Sequence, residues 1–292
     1  MMISNLFLAA VLAAGGPAPQ QPSSVQADTS AQPRWYLDGS TSRCVLTRRL
    51  EGTPGPAAFV LRSVPGSGSY DVMLAIPDLD RTVQRVRLST GAATHEQSVS
   101  IIELPRGLGS AFAIPYLPAS FAGEFGRASR IELADDQGRH LGSWNVPAAA
   151  RAAETLADCE AEKQVDWGAD RAATAPGSTP PRAVGNASRW IGPEDLGVAG
   201  VASQAIVAAV FRVSVGANGR ATDCTVLESA GSFEIDRGAC GALVRRARYE
   251  PARDPSGNPV RSVAIYRVEA RSRSTRGAPG WRAAAAVATP AS

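Results

Sequence analysis

Phe211-Arg-Val-Ser-Val-Gly-Ala-Asn-Gly-Arg-Ala-Thr-Asp-Cys-Thr-Val226 decides the fold of the carboxy-terminal third of the chain. Val207, Ala209, Phe211, Val213 and Val215 alternate with smaller or polar residues, so a strand over 206–215 has one apolar face. Asn218-Gly219 accepts the positive φ that a tight hairpin turn requires. The partner strand over 221–228 places Thr222, Cys224 and Val226 on one face. Ser229-Ala-Gly-Ser232 then breaks the strand, and Ser232 is suited to cap a helix. In that helix Asp236, Cys240, Leu243, Val244 and Ala247 share one side. Glu234 and Asp236 in the first turn, and Arg245, Arg246 and Arg248 at the end, suit its dipole. Pro251 stops it, Asp254-Pro-Ser-Gly-Asn-Pro259 forms a loop, and 260–271 returns as a last strand with Val263, Ile265 and Tyr266 for bulk. The order strand, strand, helix, strand predicts a small α+β layer in which Cys224 meets Cys240 across a sheet–helix contact.

Upstream, residues 35–145 read as short β runs separated by turns, at 44–50, 59–64, 70–76, 83–88, 99–104, 111–116, 130–133 and 141–144. Alternation is clearest in Val83–Leu88 and Tyr70–Ile76, and Asp135-Asp-Gln-Gly138 predicts a hairpin turn. That spacing predicts a sandwich or barrel-like sheet. Pro147 then opens a helix over 148–164, with Ala149, Ala152, Leu156 and Cys159 at helical spacing. Its stripe would face the sheet and bring Cys159 to Cys44 on the first strand.

The apolar run Leu6–Ala14 is shorter than the roughly 20 residues a membrane-spanning helix needs. It matches the hydrophobic part of a secretory signal, with small residues for cleavage nearby, although no basic residue precedes it. The alternative is a short uncleaved membrane anchor. Four cysteines in an exported chain predict two disulfides. Three pairings are possible, and the domain boundary favours Cys44 with Cys159 and Cys224 with Cys240; in a cytosolic chain all four would be free. The expected organisation is therefore a signal peptide over 1–18, a flexible leader over 19–33, a β-rich domain over 34–170, a Pro/Gly linker over 171–188, a second domain over 189–271 and a disordered tail over 272–292.

The formal charge of +3 over 292 residues speaks against a dedicated nucleic-acid binder. Lys163 is the only lysine, a pattern that a GC-rich genome explains. His95 and His140 lie in turn-like segments and read as surface residues rather than as a catalytic base. Zinc-type spacings and Gly-x-Ser-x-Gly are absent, and neither Gly66-Ser-Gly-Ser69 nor Gly107-Leu-Gly109 continues as a phosphate loop. Asp78, Asp80, Asp135 and Asp136 are explained by turn chemistry rather than by a cation. Arg245-Arg246-Ala-Arg248 reads as a solvated helix end, with acidic lipid or peptidoglycan as the alternative contact. The expectation is a non-enzyme with no catalytic residue, cofactor or metal.

The run from Phe211, with Ser229-Ala-Gly-Ser232, Ile235-Asp236, Arg246-Ala-Arg-Tyr-Glu-Pro-Ala252 and Gly257-Asn-Pro-Val260, resembles the C-terminal domain of TonB-type energy transducers over about 190–270. The paired cysteines, Leu156-Ala-Asp-Cys159 and Trp167-Gly-Ala-Asp170 are similar to periplasmic TonB-family proteins of the sphingomonad type, which carry an amino-terminal β-rich domain. The resemblance implies a protein-binding module that takes part in transport across the outer membrane. It pairs a strand with an envelope protein such as a TonB-dependent outer-membrane receptor. The pairing edge would fall on Ser262, Val263, Ala264, Ile265, Tyr266, Arg267, Val268 and Glu269. The mature chain would be periplasmic, with no membrane span and no nucleic-acid partner. The alternative is a structural cell-envelope protein in contact with peptidoglycan.

Overall fold

A computed structural model describes residues 34–104, 109–196 and 207–270. The expected signal peptide, leader and carboxy-terminal tail lie outside them. The architecture is α+β and rich in antiparallel sheet.

The first eleven strands are β1 (Tyr36–Asp38), β2 (Cys44–Leu50), β3 (Gly52–Thr53), β4 (Ala57–Ser63), β5 (Ser69–Ala75), β6 (Arg85–Ser89), β7 (Thr94–Ser98), β8 (Ser100–Glu103), β9 (Ser110–Pro118), β10 (Arg130–Asp135) and β11 (His140–Asn145). They form a six-stranded sheet, β1-β2-β4-β5-β9-β8, and a five-stranded one, β3-β11-β10-β6-β7, with no closed barrel. Leu46, Phe59 and Phe112 of the first sheet share one apolar cluster with Val86, Leu133 and Trp144 of the second. The buried Trp144 indole donates to the Gly55 carbonyl at 2.8 Å, which satisfies its one polar atom.

Two helices close this layer. α1 (Phe121–Arg127), which sequence patterning did not reveal, buries Phe121 and Phe125. α2 (Ala149–Asp166) buries Ala149, Ala152 and Leu156, as the stripe predicts, and a disulfide joins Cys159 to Cys44 with the Cα atoms 6.1 Å apart. Pro147 does not open α2. Its carbonyl accepts from the Trp35 indole at 2.8 Å, Ala148 takes a left-handed conformation, and the first helical bond runs from Ala152 N–H to Ala148 O.

The remaining elements are β12 (Arg182–Ala183), β13 (Val207–Val215), β14 (Ala221–Glu228), α3 (Phe233–Arg246), β15 (Tyr249–Glu250), β16 (Ala252–Arg253), β17 (Pro259–Val260) and β18 (Ser262–Ala270). The hairpin β13–β14, the helix and the return strand lie as expected, in sheet order β14-β13-β18. Gly219, at φ +74°, makes the turn, and its carbonyl accepts from Tyr249 N–H at 2.8 Å. Ser232 caps α3 by accepting from Ile235 N–H. The buried face of α3 is Ile235, Asp236, Ala239, Ala242 and Leu243, whereas Val244, expected inside, is 36% exposed. The expectation hung the face on Cys240, which is only partly buried and reaches Cys224 from the flank, at a Cα separation of 5.4 Å. Both disulfides fit an oxidising compartment.

Residues 171–188, read as a linker, lie against this second layer. β12 pairs with β15, and Thr179 and Arg253 exchange backbone bonds of 2.9 and 3.0 Å. All described residues belong to one compact unit. Val64 of the first layer packs with Val210 and Ile265 of the second, flanked by Trp167 and Leu227.

Candidate binding site along an edge strand

β18 pairs with β13 over nine residues, and among the described residues no second strand lies beside it. Among the described residues, no backbone–backbone hydrogen bond links β18 to any element other than β13. Both faces of the strand are nonetheless covered. Ala264, Tyr266 and Val268 belong to the cluster over α3, and Ile265 to the one with Val64. Ser262 and Val263 are buried, and Arg267 lies over the Tyr116 ring at 5.6 Å. Glu269 is placed by its pairing with Ala208. The predicted edge residues are thus brought together on one strand, on which the side chains from Ser262 to Val268 are occupied inside the molecule.

A cavity of about 360 Å³ runs along Ala264, Ile265 and Tyr266. Its walls come from three places. α2 contributes Ala157, Glu160, Ala161 and Gln164, and the turn before β5 contributes Gly66 and Gly68. The segment 173–183 adds Pro180, Pro181 and Ala183, while Trp190 and Tyr249 close the end. Small residues predominate on the walls, which leaves room beside the strand for another backbone.

Trp190 stacks on Tyr266, with ring centroids 5.7 Å apart, and meets Tyr249 edge-on at 5.2 Å. Burial pushes the Tyr266 hydroxyl up to about 12, so it stays protonated and donates to the Ala187 carbonyl at 2.8 Å. Burial, and then the charge of Glu160, raise the Tyr70 hydroxyl, which donates to Glu160 Oε2 at 3.1 Å. The Glu160 carboxyl is itself raised by burial, and the Ser63 and Tyr70 hydroxyls offset only part of that. Glu160 is the only charged residue on the described walls.

Sequence patterning found the edge strand but neither α2 nor Trp190 as its neighbours. The available signal was a second run of small residues, Ala157 and Ala161, beside the buried stripe of α2. That run marks a helix with something close on two sides.

The other predicted positions lie elsewhere. His140 is an exposed residue of β11. His95 is not in a loop; it lies on β7, half-buried, with Nε2 against the Glu124 carboxylate and its ring near Phe121. Asp80 and Asp135 both bind Arg139. Arg245 and Arg246 are not a free cationic end, since both bind Asp195 and Arg246 also binds Glu194. Among the described residues no group of three or more His, Cys, Asp or Glu could hold a metal ion, and no helix is long and apolar enough to cross a membrane. Comparison with protein-family models, with curated proteins and with solved structures gives no match.

Proposed function

We propose that the chain is an exported, periplasmic protein-binding module of the TonB type. It adds an extended segment of an envelope partner, such as a TonB-dependent outer-membrane receptor, to the free edge of β18. The observation that carries this reading is the cavity along Ala264, Ile265 and Tyr266, beside a strand with only one neighbour among the described residues. An unpaired edge offers N–H and C=O groups to a further strand. Small residues on α2 and the Gly66 turn keep the space next to that edge open. The order hairpin, capped helix, return strand, with Cys224 bonded to Cys240, supports the same family reading.

Asp195 engages Arg245 and Arg246, two of the three cations that a peptidoglycan contact at the end of α3 would use. The test is a photo-crosslinker placed at Ala183, on the cavity wall, in cells with disulfides intact. Crosslinks to an extended segment of an outer-membrane receptor, lost on Ala161→Trp, are expected. Crosslinks to cell-wall fragments, or crosslinks that Ala161→Trp leaves unchanged, would overturn strand addition at this edge.

A further inference from the structure

We infer that the β18 cavity contains a subsite for a cation, in which Glu160 receives the ammonium or guanidinium group of a basic residue in the docked segment. The inference rests on the strand-addition reading above. Glu160 projects from the middle of α2 onto the cavity wall, and its carboxyl is desolvated even though the residue as a whole is only half-buried. Among the described residues its one hydrogen-bond donor is the neutral Tyr70 hydroxyl, at 3.1 Å; the Ser63 hydroxyl lies near but makes no hydrogen bond. No Arg or Lys stands on the described walls, in a chain that carries 30 of them.

A purely structural role does not explain an ionisable group at this position. Tyr70 needs only an acceptor, and a glutamine amide oxygen would supply one without the cost of desolvating a carboxylate. A carboxyl here is uncompensated when charged, and its proton is held by burial when neutral. Both states change when a cation enters. The ammonium or guanidinium group restores the interaction that burial removed, through a charge-assisted hydrogen bond.

The rest of the wall suits the stem of such a residue. Gly66, Gly68, Ala157 and Ala161 flank the approach, and the volume lies at the lower end of the 300–1,000 Å³ usual for ligand pockets, about enough for one long side chain and its neighbours. Side chains of an added strand alternate between its two faces, so one set would turn toward α2 and the other toward Trp190 and the two prolines. The inferred segment is therefore extended, with a Lys or Arg on the α2 side and apolar residues on the other.

The probes are three blocked octapeptides of alternating Thr and Val, identical except for a central Lys, norleucine or Glu. They are titrated against the disulfide-intact full chain. The Lys peptide is expected to bind at least about tenfold more tightly than the norleucine peptide, with the Glu peptide weakest. Glu160→Gln, which keeps an acceptor for Tyr70, should make the Lys and norleucine peptides equal. Carbon NMR of the Glu160 carboxyl should show its pKa falling when the Lys peptide binds. Equal affinities in the wild type, or a Lys preference that survives Glu160→Gln, would overturn the cation site. If all three peptides bind equally and Ala161→Trp abolishes binding, strand addition stands and the cation site falls. If none binds, both readings fall.

Discussion

Asp170 and Arg261 hold each other through backbone and side chain at once. Asp170 N–H donates to the Arg261 carbonyl at 3.0 Å, and Arg261 N–H donates to Asp170 Oδ2 at 2.9 Å. The guanidinium adds bonds of 3.0 and 2.7 Å to Oδ1. The contact joins the residues just past α2 to the residue before β18, so it positions the cavity wall against the edge strand. The Arg261 hydrogen bonds hold the Asp170 carboxyl below its ordinary value. A depressed pKa contributes stability above the unfolded value of 3.8, and that stability is lost as pH falls through the folded value. Below pH 3.8 the wild type should therefore lose stability more steeply than Asp170→Asn, with the two compared by thermal melting across the acid range. Parallel acid limbs would show that the pair contributes nothing to folding.

Gly219 and Gly257 both have positive φ, at +74° and +85°, yet they differ in what surrounds them. A Cβ on Gly219 would lie 1.9 Å from the Tyr249 carbonyl oxygen, whereas one on Gly257 meets nothing within 4 Å. Gly257→Ala should cost about 1–2 kcal/mol, the price of a left-handed alanine. Gly219→Ala should cost upward of about 3 kcal/mol, because it must also part the hairpin turn from β15. Urea unfolding of the two variants measures the difference, and equal losses would mean the turn moves freely away from Tyr249.

The disulfides close loops of very different size, with sequence separations of 115 for Cys44–Cys159 and 16 for Cys224–Cys240. On loop-entropy grounds the first is worth about 5 kcal/mol and the second about 3 kcal/mol. The double serine variant at 44 and 159 should unfold at lower denaturant than the one at 224 and 240. The effect on peptide binding should follow the same order, since the first bridge anchors α2, which forms the cavity wall. Loss of binding only in the 224/240 variant would place the binding surface on the helix side of the second sheet instead.

What could be read from sequence was what is encoded locally. The hairpin through Asn218-Gly219 and the Ser232 cap depend on residues whose spacing announces their geometry, and the cysteine pairings followed from the domain boundary between them. α1 escaped because Gly123 and Gly126 dilute the helical signal of Phe121 and Phe125. The stretch 171–188 looked like a spacer because its ladders are two residues long, too short to leave a periodic trace. The alternating run Tyr70–Ile76 marks β5 but not the burial of Asp71, which Arg62 of the neighbouring β4 and Arg43, in the turn just before β2, both reach. The cavity was invisible for a related reason: its walls come from segments over 100 residues apart in the chain, and no local pattern records that Ala157 and Ala264 share a space.

Glu160 makes a prediction for the protein without any ligand. Its folded pKa is raised by burial above the ordinary 4.5, so the folded state holds a proton that the unfolded state has released. Between 4.5 and the folded value the unfolded chain therefore binds fewer protons, and stability falls as pH rises through that window. This runs opposite to Asp170, whose contribution disappears on the acid side. Glu160→Gln removes the titration while keeping the acceptor for Tyr70, so the variant should gain on the wild type as pH rises above 4.5 and match it below. Chemical unfolding of both proteins at a series of pH values gives the comparison. A constant difference between them at every pH would mean that the carboxyl is well solvated, and the desolvated site along β18 would lose its physical basis.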